Sequence, residues 1–333
     1  MKKNYNLFNW YIPVVKSTGW YSMVFFIGID SGGTKTAVSV IDENKKEVLS
    51  FQRGTGHYLQ IGFNGLEKLL VSIVEEVLEK LDIDRESIGY IFAGIPGYGE
   101  IKEDQKKIEE VAKKAWSGIK FQLGNDMKAG WAGSLGCLPG INIIAGTGAI
   151  GYGINELGEE ARTSGWGHAC GDEGSAYWIA KKGIEIFTKQ SDGRYPKTVL
   201  YEIMKKELNI KEDFELIDLI YNQYSLDRGK IAQLSTVVYK GAEANDSYCL
   251  EIFEEAAIEI GLMIKSIIGK IDFLEKPIKV SYVGGVFKAS KYIFKDLKNY
   301  LKVNGINVEI IEPKYTPVYG SALYALKLWG ENR

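Results

Sequence analysis

Cysteine and long apolar runs are scarce in this chain, and each scarcity argues against a class of protein. The 333 residues include only three cysteines, Cys137, Cys170 and Cys249, with no C-x-x-C pair. Neither a disulfide framework nor a structural zinc site is indicated. No apolar run approaches the ~20 residues that a membrane span needs. Basic and acidic residues nearly balance, 41 against 43, for a net charge of −2, so no basic face for nucleic acid is expected. We therefore expect a protein of the reducing cytoplasm that binds neither membranes nor nucleic acid.

The first 22 residues, "MKKNYNLFNWYIPVVKSTGWYS", lack the features of a signal peptide. Their apolar stretch is short and no small-residue cleavage site follows it. Met23 stands directly before the first predicted strand. We expect Met23 to be the natural start and residues 1–22 to be an extension outside the fold. The alternative is a docked terminal segment, since the stretch is rich in aromatic residues.

Hydrophobic residues make up 45% of the chain, and its length allows two domains. The stretch "FFIGIDSGGTKTAVSVID", residues 25–42, predicts a strand, a glycine turn and a second strand that alternates Thr and Val. A third strand, "KKEVLSFQRG", follows. The pattern then predicts a helix over 64–83, a strand over 88–97, a helix over 103–116 and a strand over 119–126.

A second unit repeats this opening. Residues 141–155, "INIIAGTGAIGYGIN", again predict an apolar strand, a glycine turn and a short strand. Long helical patterns follow from Ser175, and "VSYVGGVF" and "NVEIIE" predict later strands. The repeat indicates a duplicated α/β domain, and two such domains would form a cleft, which is a favoured place for small ligands.

The first turn, Asp30 to Thr36, has the composition of an anion site. Its glycines allow close approach of the backbone, and successive N–H groups form concavities that bind anions. Asp30, at the end of a buried strand, is suited to Mg²⁺, directly or through water. The alternative is a tight hairpin whose glycines serve only the turn.

Asp126 stands where a strand gives way to a helix. It is a candidate general base that takes a proton from an attacking hydroxyl. The competing explanation is a helix N-cap, for which Asp is a favoured residue.

Two further segments are glycine-rich. Gly146-Thr147-Gly148 is a second candidate phosphate turn. Residues 164–180, "SGWGHACGDEGSAYWIA", are too dense in glycine for a plain connector. Within them Asp172 could accept hydrogen bonds from sugar hydroxyls or cap the helix that starts near Ser175, whereas His168 is expected to be structural.

The order DSGGTKT, ND, GTG, GWGxxxGDEGS, GGV along residues 24–330 resembles the sugar-kinase branch of the actin/hexokinase/Hsp70 ATPase superfamily. In particular it resembles the BadF/BadG/BcrA/BcrD ATPase family, which contains eukaryotic N-acetylglucosamine kinase. The resemblance implies an α/β fold of two ribonuclease H-like (actin-like ATPase) domains with an interdomain cleft. The implied domains are residues 23–136 and 137–317, with the C-terminal helix, 318–333, rejoining the first.

The resemblance also implies the roles of particular residues. Asp126 would be the catalytic base, Asp30 would hold Mg²⁺, and the glycine turns would bind ATP. The implied ATP-binding residues are Gly32, Gly33, Thr34, Lys35, Gly146, Thr147, Gly148, Gly284, Gly285 and Lys288. The implied sugar-binding residues are His57, Tyr58, Asp126, Thr147, Gly165, Trp166, Gly167 and Asp172. His57 occupies the position at which N-acetylglucosamine kinase has an asparagine, so the acetamido contact departs from the family pattern.

The activity implied is ATP- and Mg²⁺-dependent phosphorylation of an amino sugar, with N-acetylglucosamine, at its 6-hydroxyl, as the first choice. Glucosamine and N-acetylmuramic acid are open alternatives, and a homodimer is one assembly to consider. A rival within the family is the ATPase that activates 2-hydroxyacyl-CoA dehydratases through an iron–sulfur cluster, although Cys137 and Cys170 lack cluster-like spacing. A non-catalytic sugar sensor is the rival from another class, and the carboxylate of Asp126 favours an enzyme over it.

If residues 1–22 are an extension, their deletion should leave folding and activity nearly unchanged, as for an undocked terminus. Thermal unfolding and catalytic assays of the chain starting at Met23 test this. A Tm lower by several degrees would show instead that the segment packs on the fold.

Overall fold

The computed structural model describes residues 23–331. The expectation for residues 1–22 lies outside the described residues and stays a prediction. Within residues 23–331, no helix combines the length and the apolar character that crossing a membrane would require.

The first sheet has five strands in the order β3-β2-β1-β4-β5. Strands β1, β2 and β3 form an antiparallel meander, and β4 and β5 extend the sheet from β1 in parallel. Alternate residues of β1 face opposite sides, as strand geometry requires: Ile27 and Ile29 pack under two helices, and Phe26 packs under two others. The strands are β1 (Phe25–Ser31), β2 (Thr36–Asp42), β3 (Glu47–Arg53), β4 (Ile88–Gly94) and β5 (Phe121–Gly124).

The second sheet repeats this connectivity. Its order is β10-β9-β6-β7-β8, with β6, β7 and β8 antiparallel and β9 and β10 parallel to β6. The duplicated α/β fold predicted from the sequence is therefore confirmed. The strands are β6 (Gly140–Ala145), β7 (Ala149–Ile154), β8 (Glu160–Ser164), β9 (Ile278–Val283) and β10 (Val308–Ile310).

Helices cover both sheets. On the first sheet α1 and α2 share one face, and α3 and α11 share the other; on the second sheet the largest core forms under α9, α10 and the shorter helices. The helices are α1 (Tyr58–Leu81), α2 (Lys102–Ala115), α3 (Asp126–Leu135), α4 (Ala176–Ser191), α5 (Val199–Leu208), α6 (Glu215–Asp218), α7 (Arg228–Gln233), α8 (Ser235–Glu243), α9 (Ser247–Ile268), α10 (Ser290–Val303) and α11 (Pro317–Glu331).

The first helix begins earlier than the apolar pattern predicts. The regular spacing begins at residue 64, but α1 starts at Tyr58 and is interrupted at Gly62, which has φ +70°. That φ lies outside the helical region and interrupts the 3.6-residue periodicity. The extra turn places His57 and Tyr58 at the entrance of the helix.

α3 and α11 cross with their backbones in contact. A Cβ built on Gly320 would lie 2.1 Å from the amide nitrogen of Gly133, and one built on Gly28 of β1 would lie 2.1 Å from the amide nitrogen of Ala322. Only glycine allows such close approach. Because α11 packs in this way on β1 and α3, we propose that it completes the first domain, as the resemblance implied.

Gly320→Ala should lower the free energy of unfolding by about 3 kcal/mol, since the added methyl meets backbone that cannot rotate away. Denaturant unfolding measures this. Gly330→Ala is the matched control on the same helix, because nothing lies within 4 Å of a Cβ there. Equal stability of the two variants would contradict the backbone contact.

Candidate active site

The first glycine turn is closed by its own backbone and held by hydroxyl groups. The N–H of Gly32 donates to the carbonyl of Lys35 at 2.8 Å, and Thr55 Oγ1 donates to the carbonyl of Gly32 at 3.0 Å. Ser31 and Thr36 share a hydrogen bond of 2.8 Å at the base of the turn. Gly33, Thr34 and Lys35 are exposed at its tip.

Asp30 and Asp126 meet at one edge of the first sheet. The carboxyl ends of β1, β4 and β5 coincide there, since Asp30 pairs with Gly94 and Gly94 pairs with Gly124 in parallel register. A Cβ on Gly94 would lie 3.2 Å from the Cα of Asp126. Glycine at position 94 therefore allows the start of α3 to approach the end of β1, and the two carboxylates become neighbours.

The N-cap of α3 is Asn125, not Asp126. Asn125 Oδ1 accepts the N–H of Met127 at 3.2 Å, and Asp126 is the first helical residue. The alternative explanation of Asp126 as the helix cap is therefore wrong, because its neighbour fills that position. Asp126 stands in the first turn of the helix, with its carboxylate also near the N–H of Met127.

Both carboxyl groups titrate well above the ordinary range of aspartate. Burial, followed by the charge of Asp126, raises the pKa of Asp30 to about 7, and Lys35 opposes the shift. Burial also raises the pKa of Asp126 to about 6, against the opposing N–H of Met127. Two neighbouring, half-buried carboxyl groups with raised pKa values are typical of sites that bind a cation or transfer a proton.

The second glycine turn joins β6 to β7 and is supported by the glycine pair after β9. The N–H of Gly146 donates to the carbonyl of Gly148 at 2.9 Å. Gly284, with φ +122°, packs so closely that a Cβ there would lie 2.2 Å from the carbonyl oxygen of Ala145. The structure therefore brings Gly284 and Gly285 to the predicted turn. Lys288, also predicted for ATP, is exposed on the 3₁₀ turn that follows them.

Asp172 ties the second turn to the loop Gly165–Gly167. It accepts the N–H of Gly167 at 3.2 Å, and its Oδ2 would lie 2.6 Å from a Cβ on Gly148. Ser175, not Asp172, caps α4 by accepting the N–H of Trp178. Burial is the main cause that raises the pKa of Asp172. The capping alternative for Asp172 is thus wrong, and the residue braces two loops.

The remaining predicted sugar residues divide into open and enclosed ones. Trp166 is 77% exposed between two glycines of positive φ. His57 is half-buried, and its Nδ1 has no hydrogen-bond partner. Tyr58 is buried with its hydroxyl donating to Asp104 at 3.1 Å, so the geometry gives it a packing role.

His168 lies edge-on to Tyr177 with 4.9 Å between ring centroids, as expected of a structural histidine.

Two charged residues near Asp126 were not identified from the sequence. Arg162 of β8 and Glu100 of the β4–α2 loop form an ion pair of 3.1 Å, and their charges lower and raise the pKa of Asp126, respectively. No motif contains them. They lie 62 positions apart, and only the approach of the two domains makes them neighbours.

The family model of the BadF/BadG/BcrA/BcrD ATPases matches residues 27–325. The chain belongs to this family. The resemblance seen in the motifs is therefore confirmed over most of the chain. Membership makes it a protein of an ATPase family.

Two curated relatives span nearly the full length. One is the N-acetylmuramic acid/N-acetylglucosamine kinase of Clostridium acetobutylicum, 31% identical over 91% of this chain and 98% of the relative. The other is the N-acetyl-D-glucosamine kinase of Dictyostelium discoideum, 30% identical over 92% of this chain and 98% of the relative.

Solved structures share the fold at lower identity. A Chromobacterium violaceum protein provisionally assigned as an N-acetylglucosamine kinase has a TM-score of 0.69 at 19% identity, over 92% of this chain and all of its own. A ROK family glucokinase of Streptomyces griseus, solved with glucose and AMPPNP, has a TM-score of 0.56 at 16% identity, over 91% of this chain and 99% of its own. These matches confirm the predicted two-domain architecture.

The raised pKa of Asp30 predicts an effect on stability. An aspartate that titrates near 3.8 when unfolded and near 7 when folded opposes folding once it must ionise, so the cost grows from pH 4 and levels off above pH 7. In metal-free buffer, Asp30→Asn should raise the free energy of unfolding by about 1 kcal/mol or more at pH 8 and by almost nothing near pH 3.5.

The exposed Asp192→Asn is the control and should show no comparable trend. Unfolding curves over this pH range make the comparison. A difference between Asp30→Asn and the native chain that stays constant across pH would contradict the shifted pKa.

Proposed function

We propose that this protein transfers the γ-phosphoryl group of ATP to a hydroxyl of an amino sugar, with N-acetylglucosamine as the first choice and its 6-hydroxyl as the acceptor. The observation that carries the proposal is that Asn125 fills the N-cap of α3 while the half-buried carboxylate of Asp126 lies beside Asp30 at the end of β1. The names of the two curated relatives, both amino-sugar kinases, agree with this chemistry.

In the proposed step Asp126 accepts the proton of the sugar hydroxyl while that oxygen attacks the γ-phosphorus. The bond from phosphorus to the bridging oxygen of ADP breaks, and ADP leaves with the charge. A base with a pKa of about 6 is deprotonated at neutral pH, yet remains basic enough to assist the transfer. Phosphoryl transfer otherwise depends on positioning and charge neutralisation.

The residues fit Mg²⁺ near Asp30. A carboxylate whose pKa burial raises to about 7 gains from a divalent cation, and carboxylates are the ligands that Mg²⁺ prefers. The ion would neutralise charge on the phosphates. Lys35, which already lowers the pKa of Asp30, lies on the same turn and would add a fixed positive charge beside them.

The nucleotide would lie between the two turns. Gly32 to Lys35 and Gly146 to Gly148 supply N–H groups for the phosphates. Gly284 packs directly against the end of β6. Since Gly284 and Gly285 are glycines, they place no side chain where the adenosine would bind. Lys288 would reach the nucleotide from the exposed side.

The sugar would lie against the loop Gly165–Gly167 and the entrance of α1. His57 has an unpartnered Nδ1 there, so it is suited to bind a polar group of the sugar in place of the family's asparagine. Trp166 offers an exposed ring as an apolar face for the sugar. Thr147 and Asp172 complete the proposed set, with Asp172 also holding the loop.

The dehydratase activator is the weaker alternative. Burial between α3 and α11 raises the pKa of the Cys137 thiol to about 12, whereas Cys170 is exposed in the glycine-rich loop. A cluster needs accessible thiolates at one place. These cysteines do not form such a pair.

Location and assembly belong to the proposal as well. All three cysteines are free, in keeping with the reducing cytoplasm. A homodimer stays a prediction that the mass in solution would test.

A coupled ADP-release assay over glucose, glucosamine, N-acetylglucosamine, N-acetylmuramic acid and buffer alone tests the function. The expected result is sugar-dependent turnover that is greatest with an N-acetylated amino sugar. Turnover that is independent of every sugar would overturn the proposal and favour an ATPase of another kind.

Asp126→Asn should lower kcat by roughly two to four decades, the usual worth of a general base. Asn125 keeps the cap, so stability should not fall. In the native enzyme kcat should decline below about pH 6, where Asp126 becomes protonated, and the variant should lack this decline. Full activity in a folded Asp126→Asn variant would refute the assignment.

A further inference from the structure

Arg162, on β8, joins two loops of the molecule. Its Nη2 donates to the carbonyl of Gly165 at 2.7 Å, within the loop proposed to bind the sugar. Its Nη1 donates to Oε1 of Glu100 at 3.1 Å, on the first domain. The charges of Arg162 and Glu100 both act on Asp126, the first lowering and the second raising its pKa.

We propose that Arg162 is a positioning residue for phosphoryl transfer, holding the Gly165–Gly167 loop of the second domain against the Glu100 loop of the first. This inference rests on the proposed function, because it assigns a role in bringing sugar and base together. Arg162 acts through the loop it holds and is not itself a catalytic group.

The chemistry of arginine fits two simultaneous partners. Its planar guanidinium presents five donors in a fixed fork, so one side can bind a carbonyl while the other binds a carboxylate. A lysine in the same place has one compact ammonium group, which could not bind the Gly165 carbonyl and the Glu100 carboxylate together as the guanidinium fork does.

The ion pair of Arg162 with Glu100 is partly exposed to solvent, so it can break and form again. The two side chains are 33% and 46% exposed, and ion pairs this open contribute little to folding. Opening and closing of the cleft would therefore cost little when the pair is exchanged for water.

The test compares Arg162→Gln, Arg162→Lys, Glu100→Gln and the double variant Glu100→Gln with Arg162→Gln. Arg162→Gln should lower kcat/KM for the sugar by about tenfold, the usual effect of a lost charged hydrogen bond, with the KM for ATP unchanged. Glu100→Gln should lose roughly two- to fivefold, and Arg162→Lys should recover only part of the activity. The double variant should lose little more than Arg162→Gln, because the interaction is shared.

Arg194→Gln is the matched control, since Arg194 pairs with Asp192 within the second domain at 2.5 Å. It should leave kcat/KM and Tm unaltered. Tm should also stay unaltered in Arg162→Gln, because the pair is exposed.

Hydrogen exchange gives a second measurement that needs no sugar. Peptides covering residues 95–101 and 163–171 should exchange faster in Arg162→Gln than in the native chain, and not in the control. Losses that multiply independently in the double variant, a Tm that falls with activity, or unchanged exchange in both segments would each overturn the positioning role. Absence of sugar turnover in the native enzyme would refute the proposed function separately, and the exchange measurement would still decide whether Arg162 holds the two loops.

Discussion

The contact of α11 with α3 and β1 is backbone against backbone, and the position of Asp126 depends on it. Gly320 and Gly133 bring the two helices together, and Gly28 lets α11 sit directly on the strand that ends at Asp30. The C-terminal helix thereby fixes both the strand and the helix that carry the two acids. Glycine is needed at each crossing because a Cβ would lie within about 2 Å of the neighbouring backbone and would force the elements apart.

Desolvation is the main cause of the raised pKa values of Asp30 and Asp126. At the carboxyl edge of β1 and β5 each loses water, and the charge of Asp126 adds to the effect on Asp30, so the pKa values lie at about 7 and about 6. These values are costly for a structural aspartate but useful for a base and a cation ligand at neutral pH. Asn125 fills the N-cap of α3, so the helix does not require the carboxylate of Asp126 at that position.

The second domain supplies a second glycine turn and the loop Gly165–Gly167. Its own glycine turn is supported by Gly284 and tied through Asp172 to the loop Gly165–Gly167. Arg162 of β8 then links that loop to Glu100 of the first domain. The same connectivity is used twice, with the paired acids in one half and the loop Gly165–Gly167 in the other.

The sequence alone determined the duplication, the two glycine turns and the candidate base, because strand alternation, turn residues and motif order are local in the chain. It also placed most of α1, but missed the turn before Gly62, since a residue of positive φ interrupts the periodicity on which the prediction relied. Only the tertiary structure showed that Asn125 rather than Asp126 caps α3, that Asp172 accepts the N–H of Gly167, and that the Tyr58 hydroxyl donates to Asp104. These outcomes depend on which groups fold close enough to exclude water or donate a hydrogen bond. The pair of Glu100 with Arg162 was beyond sequence reasoning for the same reason: its members have no motif, and they become partners only when the two domains fold against each other.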